Sequence, residues 1–187
     1  MLPNGHLFFC IHYTSEQLMA ATHTFRSQQW LALPTELVFA FFANPANLPR
    51  LMPSWQQARV EEASIVAPSA PPHPISTPVA GAGTRLTLSF RPFPFSPVRL
   101  QWQAEIDAFV WSSHFSDTQL RGPFAYWHHV HTVRSESRNG EAGTLLQDEV
   151  QYQLPFGGIG GLAQPLIAWQ IGKTFDYRHR RTRELLA

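Results

Sequence analysis

Between Trp127 and His131 the chain reads Trp-His-His-Val-His, three imidazoles within four residues. On a strand, Trp127, His129, His131 and Val133 share one side, and Tyr126, His128 and Val130 share the other. A His-x-His pair on one face can chelate a metal ion, and Asp148 or Glu149 on a following strand could add a carboxylate. Asp148 alternates with Leu146, Val150 and Tyr152, so it reads as a buried acid, and a buried carboxylate needs a partner. The favoured reading is a satisfied His–Asp pair that orders the sheet. A catalytic or ligand-orienting pair, His129 with Asp148, comes second. A metal site comes last, for want of a third histidine at suitable spacing, so no metal is expected.

Other chemistries find no support in the sequence. Cys10 is the only cysteine, which excludes an intramolecular disulfide, a CxxC redox pair and a four-cysteine zinc site. There is no GxSxG elbow, no phosphate-binding P-loop and no glycine fingerprint for a dinucleotide, so no cofactor is expected. Lys and Arg number 14 against 13 acids, a balance unlike that of a nucleic-acid binder. The one basic cluster, Arg178, His179, Arg180, Arg181 and Arg183, reads as the solvated end of a helix, where cations complement the dipole.

Large rings are the second notable feature. Any single one reads as ordinary core, but rings spaced along a curved sheet can line a cavity without filling it. Trp102, Phe124, Trp127, Tyr152 and Trp169 are the cavity candidates, joined by His129 and His131. Trp127 and Tyr152 also carry a polar N–H or O–H that could meet a ligand oxygen.

The elements that must position these residues follow from period and punctuation. His23 to Leu33 is compatible with a strand. Pro34 then opens a helix through Phe42, with Glu36 near its positive end, and Asn44-Pro45 closes it. A second short helix is expected over Ala46 to Leu51, stopped by Pro53. Trp55 to Val66 reads as a strand, and Ala67 to Ala80, rich in proline, as a loop that cannot pair in a sheet. Leu86, Leu88 and Phe90 then alternate with polar residues. Val98 through Val110 does so more fully, with Leu100, Trp102, Ala104, Ile106 and Ala108 on one face. Strands over 111–120, 124–133 and 144–154 complete a meander, with a turn at Arg138-Asn139-Gly140. Gly161 to Leu186 reads as one long helix, its expected apolar stripe running through Leu162, Leu166, Trp169, Lys173 or Ile171, and Phe175.

The 187 residues suit one domain over 23–187. Residues 1–22 read as an N-terminal extension outside it, disordered or preceding a true start at Met19. No stretch is long and apolar enough to span a membrane, and no signal-peptide pattern opens the chain. With the lone cysteine, this points to a cytoplasmic protein. Nothing in the sequence sets an oligomeric state.

The order of elements predicts an α+β domain: a curved antiparallel sheet of about seven strands, two short helices after the first strand, and a long C-terminal helix over a cavity. The segment Leu33-Pro34-Thr35-Glu36-Leu37-Val38-Phe39-Ala40-Phe41-Phe42-Ala43-Asn44-Pro45 resembles the opening of the SRPBCC, or START-like, superfamily, which includes the Bet v 1-type proteins and the polyketide cyclase/dehydrase branch. Gly122-Pro123-Phe124, Trp127 to His131 and Asp148 to Gly157 resemble a little-characterised bacterial branch. Some of its members are joined to sugar-epimerase-like partners and labelled as cell-division inhibitors. The resemblance implies a helix-grip fold that holds a small hydrophobic molecule (a lipid, polyketide or quinone-like compound) as carrier or sensor. One alternative is a polyketide cyclase/dehydratase-like enzyme in which His129 or Asp148 moves a proton. The other is an interaction domain for an epimerase-like protein.

Overall fold

Period-two alternation becomes seven antiparallel strands in the computed structural model, which describes residues 21–71, 77–155 and 157–187. The strands are β1 (His23–Leu31), β2 (Arg59–Ser64), β3 (Arg85–Phe90), β4 (Leu100–Val110), β5 (His114–Arg121), β6 (Tyr126–Arg138) and β7 (Glu141–Gln153). They form one sheet in the order β1-β7-β6-β5-β4-β3-β2. The first strand therefore pairs with the last, and a meander runs outward from there. Among the described residues two α-helices accompany the sheet, α1 (Thr35–Phe42) and α2 (Gly157–Leu186). The expectations for residues 1–20 and for 72–76 of the proline-rich loop lie outside the described residues.

The turn between β6 and β7 forms where Asn139-Gly140 predicts it. Both residues take positive φ, 51° and 80°, the pair a two-residue primed hairpin turn requires. Helix α1 begins after Pro34 and stops at Ala43. The expected second helix is instead a series of single 3₁₀ turns, Pro45–Asn47, Pro49–Leu51 and Ser54–Gln56. Pro45, Pro49 and Pro53 recur every four residues, and each withholds the N–H that an α-helical ladder would use.

Two further expectations are corrected. In β4 the alternation is broken by a register shift between Ile106 and Ala108. Leu100, Trp102, Ala104 and Ile106 keep to the concave face, but beyond the bulge Phe109 turns inward and Val110 outward. An extra residue in one strand reverses which parity faces the core. Helix α2 starts at Gly157, four residues earlier than expected, and Pro165 lies inside it.

Buried apolar residues gather in two clusters on the concave side. One lies under α1: Leu31, Val38, Phe39, Phe41, Phe42, Leu51, Phe115, Val133 and Leu146. The other lies under α2: Trp127, Val150, Tyr152, Leu154, Ile171 and Phe175. A fully buried ring such as Phe39 contributes about 2–3 kcal/mol of transfer free energy. Polar tethers at two edges of the sheet hold α2 across it. Gln29 Nε2 donates to the His179 carbonyl at 2.9 Å, and Gln170 Nε2 donates to the Pro92 carbonyl at 2.9 Å. Phe25 of β1 packs on Phe175, with ring centroids 4.9 Å apart.

Candidate functional site

A cavity of about 300 Å³ lies between the sheet and α2. Strands β3 and β4 supply most of one wall, with Leu86, Leu88, Phe90, Leu100, Trp102, Ala104 and Ile106. Helix α2 supplies the other, with Ile167, Ile171, Thr174, Phe175 and Arg178. Phe124 and Trp127 form an aromatic corner with Trp102: Trp102 meets Trp127 edge-on at 4.8 Å, and Phe124 lies 4.8 Å from Trp127. The volume is at the small end of ligand pockets, and the lining is apolar with a few polar groups, as small-molecule sites commonly are.

The polar groups form a row across three neighbouring strands, because register sets them opposite one another. Asp117 of β5 faces His129 of β6, and His131 of β6 faces Asp148 of β7. Asp148 is buried, and its Oδ1 accepts a hydrogen bond from His129 Nε2 at 3.0 Å. His131 Nδ1 stands 2.7 Å from the same oxygen, off the line of a good hydrogen bond. His129 turns its other nitrogen, Nδ1, toward Asp117 Oδ2 at 3.7 Å. Aromatic rings bracket the row: His131 stacks on Phe115 at 4.4 Å, and His129 meets Phe175 edge-on at 5.6 Å. The outer face is separate. There Glu149 pairs with Arg26 at 2.8 Å and His128 with Asp107 at 3.2 Å.

Burial and neighbouring charge set the protonation of the row. Burial, then the adjacent His129, lowers His131 to about 3, so its imidazole is neutral. Burial alone would raise Asp148, but the adjacent His131 and the hydrogen bond from His129 hold it well below the usual carboxylate range. Asp117 is raised by burial, which His129 and Arg178 partly offset. Burial also lowers Arg178, a guanidinium that lies over the Phe42 ring at 5.1 Å and whose Nε has no hydrogen-bond partner among the described residues. Such a guanidinium remains charged at neutral pH.

Of the expected site residues, Trp102, Phe124, Trp127, His129 and His131 line the cavity. Asp148 sits behind the histidines. Tyr152 is fully buried and packs behind Phe124 and Trp127 rather than lining the space. Trp169 is corrected outright. It is 61% exposed and points away from the cavity, as do Leu162 and Leu166. The stripe that α2 presents to the sheet is Ile167, Ile171, Phe175 and Arg178, continuing to fully buried Thr182. Two apolar stripes compete on this helix, and the large indole of Trp169 makes the outer one the more conspicuous.

Sequence reasoning missed two polar residues of the site. Asp117 was legible as the alternation partner of Phe115, two residues earlier on the same face. Arg178 was hidden in a basic cluster, although it lies three residues beyond Phe175 and seven beyond Ile171, the spacing of one helix face.

No protein-family model matches the sequence, and a comparison with curated protein sequences finds no significant match. Solved structures do match in shape. Norcoclaurine synthase from Thalictrum flavum, in complex with dopamine and hydroxybenzaldehyde, superposes with a TM-score of 0.57 at 15% identity, over 97% of this chain and 98% of that one. TTHA0849 from Thermus thermophilus gives 0.56 at 16% identity, over 88% of this chain and 100% of the other. Ara h 8.0201 gives 0.51 at 14% identity, over 85% and 96%. Among the described residues, no helix is long and apolar enough to cross a membrane. A seven-stranded curved sheet with short helical turns after β1 and a long closing helix over a cavity is the Bet v 1-like helix-grip fold.

Proposed function

We propose that this chain is a cytoplasmic carrier or sensor that binds one small, mostly apolar molecule bearing an oxygen function, such as a lipid, polyketide or quinone-like compound. The observation that carries this reading is the largely apolar cavity with Asp117, His129 and His131 on its sheet side and Arg178 on its helix side. Apolar burial supplies the affinity, at about 25 cal/mol per Å² before ordering costs. The polar row supplies orientation. Arg178, with an unpartnered Nε, favours a carbonyl or carboxylate oxygen at that end.

The test is native mass spectrometry of the purified protein, followed by displacement of an environment-sensitive apolar dye. Phe175→Ala, inside the cavity, should weaken dye binding at least tenfold, whereas Trp169→Ser, outside it, should change it less than twofold. Equal effects would sink the assignment of the cavity as the binding site.

A second reading, proton transfer of the cyclase or dehydratase kind, has one observation behind it. His129 is held by Asp148 through one nitrogen while the other faces the cavity side, the arrangement of an oriented general base. His129→Ala should then abolish turnover and spare binding. Equal loss of both would count against it. A partner-binding role rests on the outward apolar stripe of Leu162, Leu166 and Trp169, and co-purification with an epimerase-like protein is its test.

A further inference from the structure

We propose that Asp117, His129 and His131 bind one divalent transition-metal ion at the polar end of the cavity, with Asp148 orienting His129 from behind. This does not depend on the ligand reading above, because the ion's donors all belong to the sheet. One carboxylate oxygen of Asp117 and one ring nitrogen from each histidine lie within 4.8 Å of one another. The His129 Nδ1 to Asp117 Oδ2 separation is 3.7 Å. A tetrahedral ion with ligands at about 2.0–2.2 Å sets its donors roughly 3.3–3.6 Å apart. One edge is thus close to its final length, and the others need only a contraction that side-chain torsions can supply.

Three features make this more than a coincidence of donors. First, hydrogen-bonded strands at fixed register bring the donors together, so no loop has to be ordered to form the site. Second, Asp148 Oδ1 takes the hydrogen bond of His129 Nε2, leaving Nδ1 with its lone pair toward Asp117. A carboxylate behind a ligating histidine fixes tautomer and orientation in metal sites. Third, the row is incompletely satisfied as a purely structural network. His131 Nδ1 and Asp148 Oδ2 are buried with no hydrogen-bond partner among the described residues, whereas buried polar atoms are nearly always paired.

The third ligand that the sequence did not offer comes from the neighbouring strand. Two histidines and one carboxylate suit zinc, cobalt, manganese or ferrous iron rather than calcium or magnesium. The Asp117 side chain keeps 26% of its surface accessible, and it lines the cavity. A fourth coordination position would therefore open into the same space, where a water or a ligand oxygen could occupy it. The site charge is compatible: Asp117 and Asp148 carry two carboxylates, against one guanidinium on Arg178.

The experiment titrates chelator-stripped protein with Co²⁺, read by visible absorption, and then displaces it with Zn²⁺, read by calorimetry. One equivalent per chain is expected. Asp117→Asn should weaken Zn²⁺ binding at least tenfold, and His131→Phe at least a hundredfold. His114→Ala and His128→Ala, on the same two strands but outside the donor set, should change it less than twofold. Circular dichroism verifies that each variant is folded, and Asp117→Asn, a near-isosteric change, decides the matter if His131→Phe is not. No stoichiometric binding, or binding that survives Asp117→Asn, overturns the proposal. Dye binding measured in excess chelator reports on the cavity separately, so the two readings fail independently.

Discussion

Replacing Ala104 with phenylalanine separates a real cavity from a poorly filled core. Ala104 is buried in the middle of β4, between Trp102 and Ile106 on the concave face, and its side chain lines the cavity. A benzyl group projected from this position enters the space between β4 and α2. It would displace roughly 100 Å² of apolar contact from any guest, about 2.5 kcal/mol at 25 cal/mol per Å². That corresponds to about a seventyfold rise in Kd. Stability should respond differently. Added methylenes in a packed core cost about 1–3 kcal/mol, but a ring entering an existing void gains contacts, so the change should lie within about 1 kcal/mol of zero or be favourable. The assay pairs dye displacement with urea unfolding of the same preparation. Dye affinity unchanged in a variant of unchanged stability would refute the cavity as the binding site. A stability loss near 3 kcal/mol would refute the cavity itself.

Three further outcomes are expected. His131 is neutral when folded, lowered from 6.5 to about 3, whereas the unfolded chain protonates it below about pH 6.5. The unfolded state then binds more protons, so below about pH 6.5 this group lowers stability by up to about 1.4 kcal/mol for each unit that pH falls. Chelator-treated His131→Phe should therefore lose stability less steeply between pH 6.5 and 4.5, and parallel curves would exclude a neutral His131. Asp148→Ala leaves the buried His129 imidazole without its acceptor and should cost about 3–5 kcal/mol in urea unfolding at pH 7; a loss below 1 would show that the carboxylate is not its partner. Gly143→Ala should cost about 1–3 kcal/mol, because a Cβ there meets the Leu31 carbonyl and the Trp30 indole; an unchanged midpoint would contradict the close approach of β1 to β7.

The fold was more legible than the site, and the residues show why. Punctuation is local: Pro34 starts α1, Asn44-Pro45 ends it, and Asn139-Gly140 dictates its own turn. The faces of His129, His131 and Asp148 follow from parity alone, because β6 and β7 pair without a bulge. Parity failed in β4, where the register shift after Ile106 leaves no mark in the residue pattern. The inward face of α2 failed for a different reason. A helix with Leu162, Leu166 and Trp169 on one side and Ile167, Ile171 and Phe175 on another offers two plausible inner surfaces. Non-local contacts go with the second: Phe25 packs on Phe175, and the tethers of Gln29 and Gln170 hold the helix across the sheet. Asp117 was missed because a third donor contributed by another strand depends on register rather than on spacing along the chain.

The pairing of β1 with β7 has a consequence for how the molecule is made. His23 lies opposite Tyr152 and Leu31 opposite Thr144, so the first strand waits through more than a hundred residues of synthesis for its partner. Helix α2 emerges later still. Until it docks, the concave face, with its tryptophans and the half-assembled polar row, lies open to water and to other chains. Contacts this distant in sequence slow folding and lengthen exposure of apolar surface. A guest that enters before α2 closes could act as a template for closure. On the proposed carrier reading, that guest would also speed maturation and spare the chain from aggregation.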